Sequence, residues 1–258
     1  YLGEVTVLSG ENEVPYRRPQ LSKEYLDPAG PQDVARLRTL ESYEDKGVSL
    51  RLGCRVESID RGGRRVRVDD GGFLAYDRLV LATGASLRTL PLPAADVAGV
   101  HGVRSLGDAC DLRRDLDLAT HVVVVGGGFI GLEIAAAARS RGAVVTVVEM
   151  GERLLGRVAS HHLSDHVLAF HRRTGTRVEL GDSVTAIDTR DGKLTSVTTT
   201  RGLTLPADVL VVGVGVTPDC VLAQEAGLEV DDGIVVDEFL RTTDDRIFAI
   251  GDCARFPT

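Results

Sequence analysis

The chain has 258 residues, 43% of them hydrophobic, and a formal net charge of -8, so it can fill packed cores but offers no general surface for nucleic acid or anionic membranes. Its longest apolar run, Val122 to Leu132, is interrupted by glycines and stopped by Glu133, which excludes a membrane-spanning segment there. The cysteines, Cys54, Cys110, Cys220 and Cys253, form no closely spaced pair, so the expectation is no metal site, no redox dithiol and a reduced, cytoplasmic setting.

In chain order, Val5 to Leu8 reads as a buried strand. The segment from Glu11 to Lys23 follows, and its prolines at 15 and 19 predict a loop without a regular element. A helix is expected over Val34 to Asp45, ending before Gly47, then strands at Leu50 to Leu52, Val56 to Ile59, Val66 to Val68 and Arg78 to Ala82. The basic run Arg61 to Arg67 reads as an exposed hairpin or as a surface for an acidic partner. From His121 to Glu149 a strand of valines, a glycine turn, an alanine-rich helix and a second strand make a complete βαβ unit. A polar helix near Ser160 to Thr174 comes next, with Leu163, Val167 and Phe170 as its expected buried face. His162 and His166 share a side of that helix at a spacing that can bind metal, but no glutamate completes a hydrolytic site, and the histidines read as solvated. Strands near Val184 to Asp188, Thr195 to Thr199, Val209 to Val216, Ile234 to Val236 and Ile247 to Ile250 complete an α/β pattern.

The glycines of the βαβ unit have separable tasks. Gly126 allows the tight turn, Gly128 lets a pyrophosphate approach the backbone, and Gly131 lets helix and strand pack closely, while the helix N-terminus faces the phosphates. Glu149 ends the next strand, where a carboxylate accepts hydrogen bonds from an adenosine ribose and repels a 2′-phosphate, so NAD is expected over NADP. A glycine turn that merely joins strand to helix is the plainer reading, and the βαβ context with a terminal carboxylate weighs against it.

Three further segments are apolar strands running into small residues: Leu79-Val-Leu-Ala-Thr-Gly-Ala85, Val211-Val-Gly-Val-Gly-Val-Thr-Pro218 and Ile247-Phe-Ala-Ile-Gly-Asp-Cys253. In this order around the βαβ unit they resemble the two-dinucleotide flavoproteins, the pyridine nucleotide-disulfide oxidoreductases. The loop Pro15-Tyr-Arg-Arg-Pro-Gln-Leu-Ser-Lys23 is similar to that of the NADH-dependent ferredoxin reductases serving bacterial P450 and aromatic-ring dioxygenase systems. The resemblance covers the whole chain. It implies two Rossmann-like domains: a discontinuous FAD-binding domain, 1–105 and 229–258, and an inserted NAD-binding domain, 106–228. It also implies a first FAD strand ahead of Val5 and a further domain after Thr258, so the sequence is expected to be part of a longer chain.

Further implications of the resemblance are residue roles. Lys23 lies beside the flavin and pairs with Glu133; Arg18, Arg104, Thr83, Gly84 and Gly215 contact FAD; Asp252 binds the flavin's sugar-alcohol chain; Val56 meets the adenine end. Family members commonly carry an aspartate where Gly10 stands here, which leaves Glu11 as the ribose ligand. Solvated loop charges remain an alternative for Lys23 and Arg18, and a helix cap for Asp252. The implied activity is hydride transfer from NADH to FAD and single-electron delivery to an iron–sulfur ferredoxin. Rubredoxin, nitrite or quinone reduction, or a redox-regulated binding protein of the apoptosis-inducing-factor kind, are the alternatives.

Overall fold

A computed structural model describes residues 3–92 and 97–257. The chain divides into two compact units, the first formed by 1–16, 35–86 and 216–258, the second by 17–34 and 87–215. The first unit is therefore interrupted twice rather than once. Residues 17–34 and 87–105, expected with the FAD-binding part, fall in the second unit, and 216–228 fall in the first.

The second unit is built on a five-stranded parallel sheet. From edge to edge its strands are Arg177–Leu180, Val144–Glu149, His121–Val125, Val209–Val212 and Val100–His101. The central strand is buried on both faces, which is why it reads as an unbroken run of valine. Val123 and Val125 pack with Val184, Leu194, Val197 and Leu205 of an antiparallel three-stranded sheet, while Val124 lies against the glycine-opened helix Phe129–Ser140. No element was expected at Leu106–Leu116, which is a helix. It carries a reciprocal cap between Ser105 and Asp108 and buries Ala109, Leu112 and Leu116, a signal present in the sequence as Ser-x-x-Asp ahead of that spacing.

Residues 17–34 join this unit because their apolar side chains are consumed there. A 3-10 helix spans Arg18–Ser22, although the prolines suggested none; Pro19 sits in its first turn, where a missing N–H costs nothing. Leu21, Ser22, Tyr25 and Leu26 are buried, the Tyr25 hydroxyl lies 3.0 Å from Cys110 Sγ, and the Leu26 carbonyl accepts from Arg141.

The helix His161–Arg173 is found as expected but rotated. Leu163 and Phe170 are 48% and 45% exposed, and Ser164 and His171 are buried instead. Ser164 is claimed by the preceding loop, its hydroxyl donating to the Leu154 carbonyl at 2.7 Å and accepting from Arg153 at 3.0 Å. Burial holds the His171 imidazole below its usual pKa, so it is not one of the solvated histidines expected on this helix.

In the first unit, Val5–Leu8 pairs in parallel with Val48–Arg51, and Leu79–Leu81 with Ile247–Ala249. Val5 and Val7 are 40% and 37% exposed, so the first strand is not the buried strand expected. The helix expected from Val34 is confined to Leu40–Glu44, because the residues before it are used for extended pairing. Leu37 donates to the Pro15 carbonyl, Arg36 bridges Tyr16, and Thr39 then caps the helix. Arg65–Val68 lies in an antiparallel sheet with Val66 and Val68 buried, while Arg65 and Arg67 pair outward with Asp60 and Glu57. The core of this unit gathers Leu81, Ala223, Leu228, Ile234, Ile247 and Ala249, which draws 216–228 away from the second unit. No helix among the described residues is long and apolar enough to cross a membrane.

Candidate functional site

In the second unit, the turn between His121–Val125 and Phe129–Ser140 depends on glycine in three different ways. Gly126 has φ +108, and an added Cβ would run into the Gly213 carbonyl; at Gly131 one would overlap the Gly126 carbonyl oxygen. Both positions therefore shape the turn from inside. At Gly128, the helix N-cap, nothing lies within 4 Å of an added Cβ, and no side chain caps the helix. The open side of the turn thus presents backbone N–H groups and the positive end of a twelve-residue helix, a setting suited to a pyrophosphate.

Glu149, at the end of Val144–Glu149, is held by two backbone donors. Its Oε2 accepts the Gly127 N–H at 2.5 Å and its Oε1 the Gly151 N–H at 2.7 Å. The carboxylate is thereby fixed beside the glycine turn it helps to close, a second task that spacing alone did not suggest.

Glu133 projects from the second turn of the same helix. Its Oε1 lies 2.8 Å from Lys23 Nζ, and its Oε2 accepts the hydroxyl of Ser22 at 2.5 Å. Lys23 is therefore not a freely solvated loop charge. Ser22 escaped notice in the sequence because a small polar residue in a loop carries no periodicity. Arg18 and Arg104 also come together, an Arg18 Nη1 donating to the Arg104 carbonyl at 2.8 Å. Gly215 has φ +107, and its carbonyl accepts the Arg88 N–H at 3.0 Å.

The remaining candidates, Glu11, Val56, Thr83, Gly84 and Asp252, belong to the first unit. The parallel strands Leu79–Leu81 and Ile247–Ala249 end side by side and release Thr83-Gly84 and Gly251-Asp252 at their carboxyl ends, where open parallel sheets bind ligands. Gly84 and Gly251 have φ +73 and +74, and nothing lies within 4 Å of a Cβ added at Gly251. Asp252 is exposed within the short turn Gly251–Cys253, whose N-cap is Ile250, so it does not stand ahead of a helix as a cap. The Glu11 carboxylate accepts the Tyr16 hydroxyl at 2.7 Å, and the Arg55 guanidinium lies against Gly10. Val56, half-buried, pairs with Val68. On the second unit, the open turn at Gly128 and the anchored carboxylate of Glu149 have the chemistry to hold a pyrophosphate and a ribose.

The family profile for pyridine nucleotide-disulphide oxidoreductases matches residues 1–258. The chain belongs to the pyridine nucleotide-disulphide oxidoreductase family. Within it, the chain is 44% identical to the rhodocoxin reductase of Rhodococcus erythropolis over 257 residues, 100% of this chain and 60% of that protein. Two solved structures superpose with a TM-score of 0.95 over 99% of this chain and 63% of theirs. They are the ferredoxin reductase for the CYP199A2 system from Rhodopseudomonas palustris, 40% identical, and the covalent putidaredoxin reductase–putidaredoxin complex, 37% identical. The chain thus spans about three fifths of the length of the curated relatives it matches.

The family name includes disulphide chemistry, and the cysteines of this member bear on it. All four are free; Cys220 and Cys253 approach one another, with Cys220 Sγ 3.9 Å from the Cys253 carbonyl, but both are buried. Burial pushes the Cys220 thiol up, away from the thiolate that exchange requires.

Proposed function

We propose that the chain forms the nucleotide-binding part of a cytoplasmic NADH-dependent FAD reductase that delivers electrons singly to a ferredoxin-type iron–sulfur protein. When bound, NADH supplies a hydride and FAD the ring that receives it. The carrying observation is the open turn at Gly128 beside the doubly anchored carboxylate of Glu149. The turn's N–H groups hold pyrophosphate, and Glu149 receives the ribose hydroxyls and rejects a 2′-phosphate. Lys23, held by Glu133, supplies a positive charge for the flavin ring; Arg18, Arg104, Gly215, Thr83, Gly84, Asp252, Val56 and Glu11 hold the remainder of FAD. The iron–sulfur acceptor rests on the named relatives, two of which are reductases of a ferredoxin and of putidaredoxin, and on the buried, protonated state favoured for Cys220.

Anaerobic mixing of the flavin-loaded protein with NADH is expected to bleach the oxidised flavin's visible absorbance at a rate that saturates with NADH. No bleaching would sink the proposal. Turnover with a panel of ferredoxins, a rubredoxin and a quinone then identifies the acceptor, and a quinone preference would remove the iron–sulfur assignment.

Glu149→Ala should raise the half-saturating NADH concentration about 10- to 100-fold, the loss expected of charge-assisted hydrogen bonds of roughly 1.5–3 kcal/mol. NADPH should lose less, because it loses only the support that the carboxylate gives the turn and is freed from its repulsion. Equal losses for both nucleotides would mean that Glu149 serves only to close the turn.

A further inference from the structure

We infer that Ser22 is a positioning residue, which sets the orientation of Glu133 and through it the exposure of the Lys23 charge; this rests on the flavin-reductase reading above. The three side chains divide the work unequally. Lys23 is 49% exposed and reaches Glu133 through a long flexible stem, and pairs of that kind do little to hold a geometry. Ser22 is 6% exposed, has a single heavy-atom torsion, and stands on a 3-10 helix whose Leu21 is also buried. Its hydroxyl donates to Glu133 Oε2 at 2.5 Å, leaving Oε1 turned to the Lys23 ammonium at 2.8 Å. The carboxylate is thus clamped from the buried side and presents its other oxygen to the cation. Without the clamp, Glu133, with a side chain only 24% exposed, can swing on its helix and release Lys23. A buried serine that merely satisfies its own hydroxyl would have the same surroundings, so the test must ask whether its effect passes through Glu133.

The experiment compares the wild type with S22A, S22T, S22C, E133Q and S22A/E133Q, all as flavin-loaded full chains. Lysine occurs only at 23, 46 and 193, so trace acylation with an amine-reactive ester, read by peptide mass spectrometry, reports Lys23 with Lys46 and Lys193 as internal standards. Lys23 is expected to label about tenfold faster in S22A and E133Q, the factor for loss of one charge-assisted hydrogen bond. S22T should label as the wild type does, S22C between the extremes, and S22A/E133Q no faster than E133Q. Wild-type labelling in S22A, or a full additional increase in the double variant, would overturn the role. If S22A does not fold, S22C, whose thiol is a weak donor, decides the same question. Stopped-flow reduction by NADH gives the second readout. S22A should lower the limiting rate about tenfold with half-saturation within about twofold, and the loss should vanish in the E133Q background. An equal loss in both backgrounds contradicts the positioning role. A wild type that NADH does not reduce refutes the reductase reading instead, and the labelling series still decides Ser22.

Discussion

Replacing Gly126 with alanine is expected to abolish NADH-dependent flavin reduction and to lower the thermal midpoint, whereas Gly128→Ala should lose nucleotide affinity with the fold intact. The two glycines are two residues apart but meet opposite surroundings. At Gly126 the backbone has φ +108 and the added methyl would meet the Gly213 carbonyl, a backbone group that no rotamer change can move. A left-handed residue with a Cβ costs about 1–3 kcal/mol before that overlap is counted, which for a chain of this size corresponds to roughly 2–12 °C in Tm. At Gly128 the φ is -81 and the methyl would enter open space, so the change in stability should stay within about 1 kcal/mol. The same methyl would stand where pyrophosphate must approach, and NADH affinity should fall on the order of 10- to 100-fold, two powers of ten being about 2.7 kcal/mol. Thermal melts and NADH titrations of both variants check this. Normal NADH binding by Gly128→Ala would remove the pyrophosphate from this turn.

The second large effect is expected at Lys23. Lys23→Ala should slow flavin reduction by NADH about 10²- to 10³-fold, the usual consequence of removing one preorganised charge from a reacting centre. Rate alone would not distinguish that role from a disturbed fold, and the midpoint potential does. Removing the Lys23 cation should lower the potential, because a reduced ring loses a favourable charge. Removing the anion of Glu133, which lies 2.8 Å from Lys23 Nζ, should raise it. A shift on the order of 30 mV corresponds to ~1.4 kcal/mol for two electrons. Potentiometric titration of Lys23→Ala and Glu133→Gln checks the pair, and shifts of the same sign, or no shift, would remove Lys23 from the flavin.

Particular residues show where sequence reasoning reached and where it stopped. The βαβ unit was legible to within a residue because its signals are local: four valines filling a strand buried on both faces, and a glycine wherever φ is positive or backbone meets backbone. The rotation of His161–Arg173 was not legible. Leu163 and Phe170 are the more apolar residues, but Arg153 and the Leu154 carbonyl hold Ser164, and that tether decides which side of the helix is covered. Leu106–Leu116 could have been read from Ser105, Asp108 and the spacing of Ala109, Leu112 and Leu116. The helix expected from Val34 was lost to pairing with Pro15 and Tyr16, partners about twenty residues away whose claim on the backbone outweighs a weak local propensity.

The sequence by itself determined the family, the glycine turn and the carboxylate at Glu149, since each follows from steric limits or alternation within a few residues. Only the tertiary structure decided that residues 17–34 belong with the second unit, and that Ser22 and Lys23 take opposite oxygens of Glu133. Local patterns specify which faces need cover. Which distant segment supplies that cover depends on the burial of Leu21, Tyr25 and Leu26, a choice made by packing across the folded chain.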